Sequence, residues 1–365
     1  MKKIFLCLIL ICLVLTGCAK KNEKTILDGF QKKVNDADSY YLSGNMELVN
    51  NEDVYTYNIL VSYEKDDNYK IELTNVINDH KQVILRNEEG VYIVTPSLNK
   101  SFKFQSDWPY NNSQVYLLAS LLDDISNDEN RLFEETTDGY VFTSTVNYPN
   151  NEKLVKQKVY FGNNYLPSKV EVYDTDGNVQ IKMVFDRIDL KTEFNDTYFD
   201  LNSILDTETT IPDENSKKNT DTKDKEDKED NSNLTQEPSD NSEESTETKQ
   251  TATIDDIIYP MYLPVNTYLT NQERVSTDDG ERLILTFTGD SSFVLVEETT
   301  SYSKIPEIIP TYGDVELIGS SLAVINDNSA NWFDNGIEYY VVSDVMDTNE
   351  LLQVVRSISV LPVSK

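Results

Sequence analysis

Cysteine is the first residue type whose chemistry bears on this chain, and its sequence context indicates what that chemistry is. Cys18 closes the tetrapeptide Leu-Thr-Gly-Cys, and an unbroken apolar run over residues 4–15 precedes it behind two lysines. A membrane-spanning helix needs roughly 20 apolar residues, so this shorter run is typical of a secretory signal peptide instead. A small residue before the cysteine is typical of the bacterial lipobox. We therefore predict that residues 1–17 are a lipoprotein signal peptide and that Cys18 becomes the lipidated N-terminus.

This assignment also removes thiol chemistry from the mature chain. Cys7 and Cys12 lie in the predicted signal peptide, and the Cys18 sulfur would carry lipid. No thiol then remains for catalysis, for a disulfide or for a cysteine metal site, and we predict no metal and no cofactor. Palmitate-like acyl chains, at about 0.8 kcal/mol per buried CH₂, give a stable anchor when two or more are attached. The cell membrane is thus the first predicted partner.

The other residue types that carry catalysis do not form a recognisable catalytic set. His80 is the single histidine and lies in a polar stretch, where we expect a surface residue. Ser97 and Ser301 each begin an S-x-x-K motif, but the K-T-G motif of penicillin-binding enzymes is absent. Asp123 and Asp124 could in principle assist glycoside cleavage, yet adjacent acids are expected by chance in a chain with 64 of them. We therefore predict no catalytic residues and no enzymatic activity.

The charge of the chain excludes one class of partner, and its distribution indicates a linker between two regions. The formal net charge is −32, whereas nucleic-acid binding requires a basic surface, so we predict no nucleic-acid partner. Acidic residues dominate the segment 206–250, which has no aromatic residue and too few apolar residues to offset its ordering entropy. We predict a disordered acidic linker over 204–252. A solvated spacer and a cation-binding tail are the two alternatives for it.

The region before this linker indicates a mainly β domain over 25–203, behind a tether over 18–24. A short amphipathic helix opens it, and many segments then alternate apolar and polar residues, which is typical of antiparallel strands with one buried face. One helix, predicted over 113–127, interrupts them. Its apolar stripe is formed by Val115, Leu118, Leu122 and Ile125. This stripe belongs either to an ordinary core helix or to the lid of a ligand cavity, and we name these four residues as candidate lid residues.

The region after the linker indicates a small α+β domain over 253–365. Strand-like segments separated by Asp-Gly, Gly-Asp and Asn-Gly turns precede a helix predicted at about 347–358. This part of the chain has a large excess of acidic over basic residues. Anionic lipid should repel such a surface, so we expect it to contact a cationic or neutral protein partner.

A resemblance to known families adds to this interpretation. The segment Leu166-Pro167-Ser168-Lys169 is followed by the turn Asp176-Gly177 and by Phe199 near the end of the first domain. This order resembles the LolA/LolB/RseB superfamily, and within it the GerS-like and YdcC-like sporulation and germination lipoproteins. The resemblance implies a strongly curved antiparallel half-barrel with helices packed in its concave face. The second domain is similar to small extracytoplasmic domains of Gram-positive lipoproteins and anti-sigma-type proteins.

Together these features predict a non-catalytic, membrane-anchored lipoprotein of the cell envelope, at the outer face of a cytoplasmic membrane of Gram-positive type. It would bind an acyl chain, an apolar peptide or an envelope protein. Three alternatives stay open. The chain could assist a cell-wall hydrolase during sporulation or germination, it could regulate an anti-sigma factor as RseB-like proteins do, or it could be a cell-wall enzyme.

Overall fold

The computed structural model describes residues 22–50, 53–105, 112–206, 252–277 and 280–358. The predicted signal peptide, Cys18 and nearly all of the predicted linker lie outside these ranges. The described helices are α1 Glu23–Asn35, α2 Leu118–Asn127, α3 Leu201–Asp206 and α4 Thr348–Arg356, with a 3₁₀ turn at Pro96–Leu98. The described strands are β1 Ser39–Asn50, β2 Asp53–Glu64, β3 Asn68–Asn75, β4 Lys81–Asn87, β5 Gly90–Thr95, β6 Lys100–Phe104, β7 Leu132–Glu135, β8 Tyr140–Thr145, β9 Leu154–Phe161, β10 Pro167–Asp174, β11 Val179–Asp189, β12 Thr267–Ser276, β13 Glu281–Gly289, β14 Phe293–Thr299, β15 Glu307–Thr311, β16 Asp314–Ile318, β17 Ser321–Ile325, β18 Ser329–Asp334 and β19 Ile337–Val342. The prediction of a mostly β protein with few helices is confirmed.

The larger sheet is built almost entirely from the first half of the chain. Its strand order is β15-β6-β5-β4-β3-β2-β1-β11-β10-β9-β8-β7, and every pair except β15 with β6 is antiparallel. In β2 the alternating residues Tyr55, Tyr57, Ile59 and Val61 are buried, because successive side chains of a strand point to opposite faces. The same alternation of apolar and polar residues in the sequence is the pattern from which the strands were predicted.

Helices α1 and α2 cover the buried face of this sheet. The side chain of Asn22 caps α1 by accepting a hydrogen bond from the Thr25 backbone N–H at 2.9 Å, which satisfies one of the free donors at a helix start. The helix begins at Glu23, inside the segment predicted as tether. Phe30 then packs edge-on against Phe161 of β9, with ring centroids 5.0 Å apart. The leading helix therefore belongs to the core of the sheet.

Helix α2 is shorter than the sequence predicts. It starts at Leu118 rather than at residue 113, because hydrogen bonds to residues outside this segment hold the preceding backbone in turns. The Ser113 N–H donates to the Asn147 carbonyl at 2.8 Å, and the Gln114 N–H donates to Ser120 Oγ, also at 2.8 Å. Serine side chains compete with helical hydrogen bonds in this way. Residues 113–117 consequently form a loop that lies against the next strands.

The second sheet comes from the end of the chain, and helix α4 packs on it. Its strand order is β12-β13-β14-β19-β18-β17-β16. Asp347 caps α4 by accepting from the Glu350 N–H at 2.8 Å, and the apolar face of the helix is fully buried. On the sheet itself, the rings of Trp332 and Tyr339 stack with centroids 5.0 Å apart. This half therefore contains one sheet and a helix over Thr348–Arg356, within the segment of about 347–358 predicted as helical.

We call the described residues before the predicted linker the first half of the chain and those after it the second half. The two halves contact each other, which the sequence did not predict. Strand β15 belongs to the second half but extends the first sheet in parallel with β6, so that Glu307 lies opposite Lys100 and Thr311 opposite Phe104. The Gln105 N–H donates to the Thr311 carbonyl at 2.9 Å and continues this pairing. An edge strand with unpaired backbone groups accepts such an addition readily.

A shared core joins the two sheets as well. Leu322, Val324 and Phe333 of the second half belong to the same buried cluster as the face covered by α1 and α2. Phe333 stacks on Phe102 of β6 with ring centroids 5.1 Å apart, and the Tyr57 hydroxyl donates to the Gly319 carbonyl. The second half therefore seals part of the buried face of the first sheet.

A smaller cluster lies on the opposite face of β4 and β5. Helix α3 packs there, and the Asn87 side-chain amide donates to the Phe199 carbonyl at 2.9 Å. Strands β4 and β5 are thus covered on both faces at this point. Among the described helices none is long and apolar enough to cross a membrane.

Candidate functional site

A cavity of about 740 Å³ lies between the two halves of the chain and is the candidate site. We call it the inter-sheet cavity. Its volume falls within the roughly 300–1,000 Å³ range of small-molecule pockets. Strands β1, β3–β6 and β9–β11 form one wall, the loops 112–116 and 148–153 form a second, and β16, β17 and α4 close it from the other half.

The inner wall of the inter-sheet cavity is apolar. These side chains come from seven strands of the large sheet, from the loop before α2 and from β16 and β17. They are Met46, Leu48, Leu73, Ile84, Val91, Phe104, Val115, Leu154, Ile181, Val315, Leu317 and Leu322. Most of them belong to the main core cluster. The cavity is therefore a gap in the core that an apolar guest could fill.

The remaining lining is polar and acidic. Eight side-chain amides contribute to it, namely Asn50, Asn112, Gln114, Asn150, Asn151, Gln180, Asn349 and Gln353. The charged members are the acids Glu152, Asp174, Asp176, Asp314 and Glu316 and the bases Lys153 and Arg356. Glu152, Lys153, Asp176, Asn349 and Gln353 are exposed, so they mark the opening, which we call the rim. Acids outnumber bases around this cavity.

Arg356, the last residue of α4, holds the two halves together beside the cavity. One of its nitrogens, Nη2, donates to Glu316 Oε1 at 2.7 Å and to the Asn150 carbonyl at 3.1 Å. In return the Asn50 side-chain amide donates to the Arg356 carbonyl at 3.1 Å. Both charged side chains are about four-fifths buried, so the pair is better shielded from solvent than an ordinary surface ion pair. This clamp sets the distance between α4 and the loop 148–153.

Asp124 anchors α2 to the sheet behind the same loop. Ser113 Oγ donates to its Oδ1 at 3.0 Å, and Gln157 Nε2 of β9 donates to its Oδ2 at 2.9 Å. Burial raises the pKa of Asp124 to about 6, although both hydrogen bonds act in the opposite direction. A carboxyl group that is buried without a cation prefers its neutral form. Its hydrogen bonds make it a positioning residue for the loop that carries Val115.

Two tyrosines add buried hydroxyl groups to the wall. Burial raises the pKa of Tyr116 and of Tyr148 well above the usual tyrosine value, and the nearby Glu316 acts in the same direction. Tyr148 Oη is buried and makes no hydrogen bond within the described ranges. A buried hydroxyl without a partner is unfavourable. Tyr148 lines the cavity through other atoms of its side chain or backbone, because its hydroxyl is itself enclosed by protein.

The four candidate lid residues divide into two groups. Val115 lines the inter-sheet cavity, whereas Leu118, Leu122 and Ile125 do not. All four are buried in the main core cluster. The loop before α2, rather than the helix itself, thus forms the wall of the cavity.

The other residues considered from the sequence do not converge on a reactive centre. Ser97 is exposed in the 3₁₀ turn, and Lys100, from the same motif, pairs with Glu307 at 3.4 Å. His80 is not the surface residue we expected, because its Nε2 is buried and makes no hydrogen bond to the described residues, and burial lowers its pKa to about 4. In the described part of the chain no three acidic, histidine or cysteine side chains come together to hold a metal.

Sequence reasoning missed the residues that matter most at this site. Arg356, Glu316, Tyr148 and Asp124 are far apart in the chain and match no motif. Only Asp124 was named from the sequence, as one of two adjacent acids expected by chance. The other three meet only through the packing of the two sheets.

Comparisons with known proteins give consistent matches over most of the chain. The family described as "Sporulation protein YdcC-like" matches residues 1–199. The sporulation protein YdcC of Bacillus subtilis (strain 168) is 31% identical over 346 residues, which is 94% of this chain and 93% of that protein.

Solved structures give weaker likenesses. The complex of Pseudomonas aeruginosa MucA and MucB is matched over 92% of this chain and 98% of that one, at 12% identity and a TM-score of 0.33. A putative outer membrane lipoprotein-sorting protein domain from Vibrio parahaemolyticus is matched over 50% of this chain and 100% of that one, at 14% identity and a TM-score of 0.30. The Clostridioides difficile CwlD amidase in complex with the GerS lipoprotein is matched over 48% of this chain and 98% of the matched chain, at 17% identity and a TM-score of 0.20.

Proposed function

The chain belongs to the YdcC-like family of sporulation proteins, and from this premise we propose that it is a non-catalytic binding lipoprotein of the cell envelope that acts in sporulation. Its cargo or partner would insert an apolar part into the inter-sheet cavity. The observation that carries this proposal is the cavity itself, because about 740 Å³ between the two halves is lined by apolar side chains of the core. Well-packed interiors leave few voids larger than a water molecule.

The two-part construction of the cavity supports a role in recognition. One wall is a sheet with α1 and α2 on its buried face, which we interpret as the half-barrel of the LolA-like resemblance. The opposite wall, made of β16, β17 and α4, is held to the first by the hydrogen bonds of Arg356 with Asn150 and Asn50 and by Phe333 on Phe102. A guest would therefore contact both halves at once, and its binding would be sensitive to how they are held together.

We place this protein at the membrane through lipid on Cys18. Only three residues separate Cys18 from Asn22, the cap of α1. At about 3.5 Å per residue, the chain from Cys18 to Asn22 would span at most about 14 Å. Helix α1 would then lie close to the bilayer surface, where the chain could meet a membrane protein or a membrane-derived guest.

The proposal is tested with a variant that fills the cavity. Leu48→Trp adds a large side chain to the apolar wall, whereas Val54→Trp adds the same side chain at a position of β2 that is 54% exposed and outside the cavity lining. We expect an environment-sensitive apolar dye to bind the full chain and the Val54→Trp variant, and to lose most of its affinity for Leu48→Trp. Native mass spectrometry of the purified chain would show whether a guest is carried along. Equal dye affinity of both variants would contradict the proposal.

Function in the cell is tested with the same pair of variants. Site-specific cross-linking from residues at the rim in sporulating cells should capture a partner with the wild-type chain and with Val54→Trp, but not with Leu48→Trp. Capture of a cell-wall hydrolase would assign the chain as its assistant, and capture of an anti-sigma factor would assign it as a regulator. Release of fragments from peptidoglycan by the pure protein would overturn the non-catalytic assignment.

A further inference from the structure

The chemistry of the cavity lining narrows the class of guest. We propose that the inter-sheet cavity binds an extended apolar peptide segment with a basic residue at its end, supplied by a partner protein, rather than the acyl chain of an anionic lipid. This inference rests on the proposed function and names the ligand class for the same site.

The first argument comes from the polar part of the wall. An acyl chain offers only CH₂ groups along its length, so a cavity shaped for it needs no hydrogen-bonding lining. Here eight asparagine and glutamine residues are among the lining residues, and the amide of each carries both a donor and an acceptor. The amides of Asn50 and Gln180 already donate to the Arg356 carbonyl and to Asp174. A peptide backbone offers one N–H donor and one C=O acceptor at most residues and needs partners for them when buried. Amides such as Gln114 and Asn151 match this need.

The second argument comes from charge. Around the cavity the five acidic side chains face two basic ones, and Arg356 is already paired with Glu316. Among the described lining residues Lys153 is the one other base, and it shares the exposed rim with Glu152 and Asp176. A fatty-acid carboxylate or a lipid phosphate at this rim would meet a net negative field, whereas a lysine or arginine would be attracted. The rim thus favours a basic group at the outer end of the guest.

The test compares three fluorescent probes on the purified full chain. Two peptides share one apolar core and end in two lysines or in two glutamates, and the third probe is a labelled fatty acid. We expect the lysine-ended peptide to bind about tenfold more tightly than the glutamate-ended one at low salt, and the difference to shrink at high salt because the rim charges are screened. We expect the fatty acid to bind more weakly than the lysine-ended peptide.

Charge reversal locates this preference at the rim. The variant Glu152→Lys with Asp176→Lys should lose the preference for the lysine-ended peptide or reverse it. The control variant Asp256→Lys with Asp344→Lys changes the net charge equally at exposed positions outside the cavity lining, and it should keep the wild-type preference. Circular dichroism and thermal denaturation of both variants establish that they fold.

The outcomes separate this inference from the proposed function. If all three probes fail to bind, the cavity is not a binding site and both proposals fall. If the fatty acid or the glutamate-ended peptide binds at least as well as the lysine-ended peptide, the inference is overturned while the proposed function stands. An equal loss of preference in the control variant would also overturn it, because overall charge and not the rim would then decide the preference.

Discussion

The buried carboxyl of Asp124 gives a quantitative prediction about stability and pH. Burial raises its pKa in the folded chain from 3.8 to about 6, so the folded state holds a proton that the unfolded state has already released in this range. A pKa raised by about two corresponds to about 3 kcal/mol. This contribution is fully present below about pH 4 and is lost as the pH rises through about 6, because stability falls with pH wherever the folded state binds more protons.

The variant Asp124→Asn isolates this effect from other buried acids. Burial also raises the pKa of Asp334 to about 6 and of Glu297 to about 7, and both would act in the same direction in the wild type and in the variant. The asparagine stays neutral at all pH values, and Gln157 Oε1, which has no hydrogen bond in the described chain, can turn to accept from the new amide. We expect the variant to gain about 2–3 kcal/mol relative to the wild type between about pH 4 and pH 7.

Urea denaturation at a series of pH values measures this difference. Glu134→Gln is the matched control, since it makes the same acid-to-amide change at an exposed position. A difference curve for Asp124→Asn that is flat over this range would refute the reasoning, because it would mean that Asp124 titrates like a solvated carboxyl. A variant that loses stability at every pH would refute it as well.

Three further predictions concern the joint between the two halves and the single histidine. Arg356→Ala should lower the free energy of unfolding by about 1–3 kcal/mol because it leaves a largely buried carboxylate unpaired. Arg282→Ala removes a more exposed ion pair and should lower the free energy of unfolding by less than about 1 kcal/mol. Chemical denaturation of both variants measures the difference. Phe333→Ala should lower the free energy of unfolding by about 3–5 kcal/mol through loss of a fully buried ring, and limited proteolysis should then cut within the strands of the second half faster, while unchanged cleavage there would argue against a shared core. The ring protons of His80 should titrate by NMR with a midpoint near pH 4, and a midpoint near the ordinary value of about 6.5 would show that its ring is solvated.

Local sequence patterns predicted secondary structure correctly where that structure depends on residues close together in the chain. The alternation of apolar and polar residues predicted strands such as β2, and the helix predicted at about 347–358 is present as α4. These signals work because the period of a strand or a helix and the geometry of its cap are set within a few residues.

The same reasoning failed where a distant segment supplied the partner. The sequence of β15, Glu-Ile-Ile-Pro-Thr, shows no alternation, and its proline argues against an interior strand. It is a strand only because the free edge of β6 offers backbone groups to it. Helix α2 likewise begins late because Asn147, some thirty residues away, bonds to Ser113.

The sequence by itself predicted a mainly β protein with an acidic surface and a candidate lipidation cysteine. These properties, and the scarcity of histidine, follow from composition and local order. Only the tertiary structure decided where a guest could bind. The inter-sheet cavity is lined by Leu48, Tyr148 and Arg356 together. Their positions in the sequence do not predict that they line one cavity. Burial and charge at such a place depend on which surfaces the fold brings together, because desolvation and Coulomb energies depend on distances in space and not on separation in sequence.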